Sequence, residues 1–160
     1  SDLTTGNINL NIMDVDISYL MKQVVLELDD KINEAGLDIR LSLPEEKVLL
    51  SLDGQRTYRV FENLIINVVK YALPNSRVYI DIKEGRENVD VTIKNISADE
   101  ITFNINEISD RFVRGDKSRN TEGSGLGLAI VKSFVELQGG KFHIEVDGDL
   151  FKAIISFKKK

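Results

Sequence analysis

Cysteine and tryptophan are absent from this chain, and histidine occurs once, at His143. Without cysteine there is no disulfide framework and no thiolate metal site, and one histidine cannot build a zinc cluster. Proline occurs only at Pro44 and Pro74, each in a break between periodic runs. No window approaches the ~18 consecutive apolar residues that a membrane-spanning helix needs, so no membrane contact is expected. A formal net charge of -5 argues against a general nucleic-acid binder. By elimination the chain is expected to be cytoplasmic, and its opening at Ser1 reads as a piece of something longer.

What is present is an ordinary globular composition, 42% apolar and 29% charged over 160 residues, enough for one domain with a sizeable core. The run 7–17, NINLNIMDVDI, alternates like a half-buried strand. Leu20, Val24, Val25, Leu28 and Ile32 then recur at helical spacing over 17–33, and Gly36 follows as a stop. LDIRLSLP and KVLLSLD read as two strands around Pro44, taken together as a hairpin. A long helix is expected over 55–73, then a hairpin of RVYIDIKE and NVDVTIKN across GRE. The segment 96–124 is polar and poorly periodic. A glycine-led helix closes at Gly139 and Gly140, and KFHIEV and LFKAIISF form a last hairpin. This order predicts an α+β fold, a two-layer α/β sandwich. Its mixed, mostly antiparallel sheet carries about three helices on one face.

The stretch TEGSGLGLAIVKSFVELQGG, 121–140, sets glycines at 123, 125 and 127 before an apolar helix. It has neither the dinucleotide spacing G-x-G-x-x-G nor the G-K-[ST] of a P-loop. Its polar flanks exclude a membrane packing face. What is left is either bare backbone at a helix N-terminus, where free N–H groups favour an anion, or a loop that ends in a tightly packed helix. At ~100° per residue, Phe61, Leu64, Ile65, Val68 and Ala72 of the long helix share a core face. Asn63, Asn67 and Lys70 fall within ~60° of one another on the opposite side, with Tyr71 at the margin. Glutamate and lysine would serve an exposed stripe better. An amide oxygen can ligate Mg²⁺, and a lysine can meet phosphate as a point charge.

At these elements the sequence resembles the catalytic ATP-binding domain of bacterial sensor histidine kinases, within the gyrase, chaperone, kinase and mismatch-repair ATPase superfamily. NLIINVVKYA (63–72) resembles the N box, RFVRGD (111–116) the end of the F box, and GSGLGLAIVKSFVELQGG (123–140) the second glycine box with its helix. The resemblance implies ATP and Mg²⁺ as ligands, with Asn67 on the metal, Lys70 and Tyr71 along the phosphate and ribose side, and Asn63 as the other N-box asparagine; Asn63, Asn67 and Lys70 are the catalytic residues it implies. It places Gly123, Ser124, Gly125, Leu126, Gly127 and Leu128 against the triphosphate and Arg111 and Arg114 at the phosphates or lid. It implies a flexible ATP lid over 110–124. Asn95 stands where the family has the aspartate that bonds the adenine amino group, and Ser97 where it has a glycine. An amide can still accept from that amino group. Ser109 and Asp149 also depart from the pattern, replacing an aromatic and a threonine.

Hydrolysing members carry a glutamate one turn before the metal asparagine. Asn63 holds that position here, and Glu62 lies ~100° away around the helix. With no base for water, the resemblance implies phosphoryl transfer to a histidine on a separate helical domain, for His143 sits in a strand pattern. Residues 1–10 are expected to be a linker from that dimerisation and phosphoacceptor domain, and 11–160 the catalytic domain. The partners implied are that domain and a response-regulator receiver. A serine kinase of the anti-sigma type and a degenerate nucleotide-sensing or docking domain remain open as alternatives.

Overall fold

The computed structural model describes residues 9–102 and 126–159, with only the backbone of Leu126 included. The chain opens with strand β1, Ile12–Asp16, which turns directly into helix α1, Ile17–Glu27. Asp16 makes the turn possible, because its carboxylate accepts from the Tyr19 amide at 3.1 Å and caps an otherwise orphaned donor. Ile17, Met21 and Val24 form the buried stripe of α1. The single helix expected over 17–33 is broken at Leu28 (φ -99°, ψ 13°), and helix α2 covers Asp29–Glu34. The periodicity survives because Leu28 and Ile32 both stay in the core. Gly36 ends the unit at φ +73°. A Cβ there would also lie 2.9 Å from the Asn75 side-chain oxygen, so the position has no room for a side chain.

Strand β2 (Asp38–Ser42) and strand β3 (Leu49–Asp53) form as expected but not as a hairpin. β3 pairs antiparallel with β1, Val15 opposite Leu50, in a separate two-stranded sheet. β2 instead pairs parallel with strand β4, Arg77–Glu84, Ile39 beside Val78. The reason is burial: Ile39 continues the inner row of Val78 and Ile80, whereas Leu50 and Leu52 reach the same core from the separate sheet, Leu50 opposite Val15. Between them runs helix α3, Gly54–Tyr71, two residues shorter at its end than the periodicity predicts. Strand β5, Asn88–Ile96, pairs antiparallel with β4 and with strand β7, Leu150–Lys158, and strand β6, Lys141–Asp147, closes the order β2-β4-β5-β7-β6.

The five-stranded sheet is mixed and mostly antiparallel, as predicted. Val78, Ile80, Ile82, Val89, Val91, Ile93, Ala153, Ile155 and Phe157 line its inner face and are buried. Helices α3 and α4, Leu126–Leu137, pack against each other over this layer. The helix-bearing face alone is buried, which gives a two-layer α+β domain. Among the described residues no helix is long and apolar enough to cross a membrane.

Candidate functional site

Helices α3 and α4 run antiparallel, and they are joined differently at their two ends. At one end Gln138, just past α4, accepts from the Asp53 backbone N–H at 2.7 Å and from the Thr57 hydroxyl at 3.4 Å. Its own amide donates to the Phe134 carbonyl at 3.0 Å, which fixes its orientation. Asp53 caps α3 and is buried. Its carboxylate accepts from the backbone of Arg56 (3.1 Å) and Asn11 (3.0 Å) and from the Arg56 guanidinium at 2.6 Å. Burial alone would raise the Asp53 carboxyl pKa. The two backbone donors and the Arg56 guanidinium outweigh that penalty and hold it below the usual carboxylate value. Sequence patterning missed this joint, although an aspartate directly before a helix is a readable cap signal.

At the other end glycine makes the contact. A Cβ on Gly127, in the first turn of α4, would lie 3.2 Å from Asn63 Oδ1 and 3.6 Å from Asn63 Cβ. The Asn63 amide cannot easily yield, since its Nδ2 donates to the Arg59 carbonyl at 2.9 Å. The backbone of α4 therefore comes down directly onto the α3 face that carries Asn63, Asn67 and Lys70. Asn63 and Asn67 are half-buried, while Lys70 is exposed. The two asparagines thus lie beside the core face and not opposite it. Glu62 is turned away and pairs with Arg59 at 3.6 Å. Leu128 packs in the core, so only its backbone can face the site.

A third element completes the arrangement. α3 ends at Tyr71, and the end of β5 is strapped to it: Leu73 N–H donates to Ile96 O at 2.7 Å and Ala98 N–H to Tyr71 O at 2.8 Å. Tyr71 is 38% exposed, and burial of the rest of its ring raises the phenol pKa. Asn95, just before this strap, is 3% exposed on the helix-bearing side of β5, beside Ile93 and across from Phe151. The Ser97 amide donates to Asp149 O at 2.8 Å, so the off-pattern residues Asn95, Ser97 and Asp149 gather at one end of the site. Ser109, Arg111, Arg114, Gly123, Ser124 and Gly125, together with the whole of the expected lid, lie outside the described residues, as does the Leu126 side chain. The chain leaves the described region at Thr102, shortly after the β5 strap, and re-enters it at Leu126.

The described residues contain no cluster of three or more histidine, aspartate or glutamate side chains able to hold a metal by themselves. His143 lies on the opposite face of the sheet, 58% exposed and 3.4 Å from Glu145.

Residues 52–159 match the family described as histidine kinase-, DNA gyrase B-, and HSP90-like ATPase. Among curated relatives, the probable sensor protein PcoS of Escherichia coli is 31% identical over 145 residues, covering 89% of this chain and 30% of PcoS. The sensor protein VanSC of Enterococcus gallinarum is 31% identical over 132 residues, 81% of this chain and 36% of VanSC. The chain thus spans about a third of the length of these relatives. The catalytic domain of histidine kinase ThkA superposes with a TM-score of 0.79 at 20% identity, over 94% of this chain and 97% of that one.

Proposed function

Because the chain belongs to the histidine kinase-, DNA gyrase B- and HSP90-like ATPase family, as the ATP-binding catalytic domain of a two-component sensor histidine kinase, we propose that it holds Mg²⁺-ATP in the angle between α3 and α4 and passes the γ-phosphoryl group to a histidine outside this chain. The contact of Gly127 with Asn63 carries this reading. It brings the free N–H groups of a helix N-terminus onto the polar face of α3, where an anion is favoured by those donors and by the helix dipole. Lys70, one turn along from Asn67, offers a point charge to the phosphates.

Asn67 is the residue that would hold Mg²⁺, through its amide oxygen. The cation, when bound, neutralises charge on the transferring phosphates. Asn63 is a positioning residue, since its amide donates to Arg59 O and lies close beside Gly127. Arg111 and Arg114 stay part of the reading as lid cations, on the resemblance alone. Asn95 and Tyr71 would flank the base and ribose.

Transfer is favoured over hydrolysis because no carboxylate among the described residues of this face is placed to take a proton from water. Asn63 is an amide, and Glu62 faces Arg59. A neutral imidazole is already a nucleophile, and positioning with charge stabilisation is the main demand of phosphoryl transfer. A helical phosphoacceptor domain and a receiver domain are the partners this reading requires. Titration calorimetry with a non-hydrolysable ATP analogue and Mg²⁺ tests it. Binding between about 10 µM and 1 mM is expected for a nucleotide-using enzyme, and no heat at millimolar nucleotide would refute it.

A further inference from the structure

Resting on the reading that the base of the bound nucleotide meets Asn95, we propose that this subsite accepts guanine as well as adenine, so that the chain takes purine nucleoside triphosphates as a class. Asn95 is buried and uncharged, on the inner side of β5, next to Ile93 and opposite Phe151. In such surroundings a base must be met by matched donors and acceptors, because an unpaired polar atom is costly there. The amide of Asn95 carries an acceptor, Oδ1, beside a donor, Nδ2.

Adenine presents an amino donor (N6) next to an acceptor (N1). Guanine presents an acceptor (O6) next to a donor (N1–H). The two edges have the same spacing and opposite order. A half-turn of the amide about Cβ–Cγ exchanges Oδ1 and Nδ2 without changing the shape of the side chain, so Asn95 pairs with either edge. A carboxylate in the same seat has only acceptors and would face guanine O6 unfavourably. Guanine also carries an amino group at N2. Ser97, two residues along the same extended run, donates its hydroxyl to Asp99 O at 2.6 Å and keeps oxygen lone pairs to accept from such a group.

A two-bond contact of this kind discriminates between bases by about five-fold to 150-fold. A side chain that can make it to both purines leaves little of that discrimination.

The experiment is calorimetric titration of the chain, in Mg²⁺, with the β,γ-imido analogues of ATP and of GTP. The two dissociation constants should agree within about ten-fold, and Asn95→Leu should weaken both by about five-fold or more. A guanine analogue bound more than about ten-fold weaker than the adenine analogue overturns the proposal and leaves the ATP site standing. Guanine binding that Asn95→Leu does not weaken overturns it too. If neither analogue binds, the site reading itself fails and the proposal with it. Circular dichroism checks that Asn95→Leu folds, and if it does not, the two wild-type constants decide alone.

Discussion

Replacing Gly127 by alanine adds one methyl group at the point where α4 meets α3. Inside a helix the change should by itself be favourable by up to about 1 kcal/mol, since glycine loses more backbone freedom than alanine on folding. The new Cβ, however, would lie 3.2 Å from Asn63 Oδ1, closer than carbon and oxygen sit at ease. Either Asn63 gives up its bond to Arg59 O, a net loss of about 0.5–1.5 kcal/mol, or the first turn of α4 moves outward by a few tenths of an ångström. The terms nearly cancel. Gly127→Ala is therefore expected to change stability by no more than about 1 kcal/mol, or about 2–4 °C in Tm for a chain of this size.

Nucleotide affinity should respond more, because the displaced backbone is the part proposed to face the phosphates. Removing the obstacle separates the two effects. In an Asn63→Ala background the nearest Asn63 atom left is its Cβ, at an ordinary 3.6 Å. There the alanine at 127 should show its full helical benefit. Melting of the two single variants and the double variant gives a coupling energy, expected at about 1 kcal/mol. Additivity within about 0.5 kcal/mol, with unchanged binding of the ATP analogue, would refute the idea that glycine is needed for close approach.

Other consequences can be measured directly. Asn67→Ala should abolish most Mg²⁺-dependent phosphotransfer in a reconstituted kinase and leave Tm within a few degrees, since Asn67 lies beside the core face; unfolding would make it structural. The folded Asp53 carboxyl lies below its ordinary value near 3.9. Its contribution is therefore complete above that pH and is lost as pH falls through the folded value. Asp53→Asn should cost about 1–3 kcal/mol at neutral pH and flatten the acid limb of the stability profile below about pH 4. An unchanged acid limb in denaturant titrations would show that Asp53 is not held by Arg56 in solution.

Much of this architecture is legible in the sequence because its helices are amphipathic and its strands alternate. The core face of α3 emerges from spacing alone, with Phe61, Leu64, Ile65 and Val68 all buried. The pairing of β2 and β3 does not emerge. Their partners, Val78 and Val15, lie far away in the chain, and local alternation says nothing about which distant strand shares a row. The N-box asparagines and Gly127 stand out in the sequence as candidates because glycine and asparagine are poor choices for an ordinary helix. Their mutual contact could not be read, since it depends on how two helices cross. Gln138 gives no signal at all. A glutamine at a helix end is ordinary until the Asp53 amide is seen beside it.

That last joint gives the antiparallel helix pair the proportions of a lever. α4 is a rod of 12 residues, about 18 Å long. It is bolted at its Gln138 end by hydrogen bonds and rests at its Gly127 end on a bare contact. A tilt of only about 3° at the bolt moves the Gly127 end by about 1 Å over that length, the scale on which hydrogen bonds are made or lost. If the nucleotide lies at the Gly127 end as proposed, its fit depends on the joint at the far end of the rod, on Gln138.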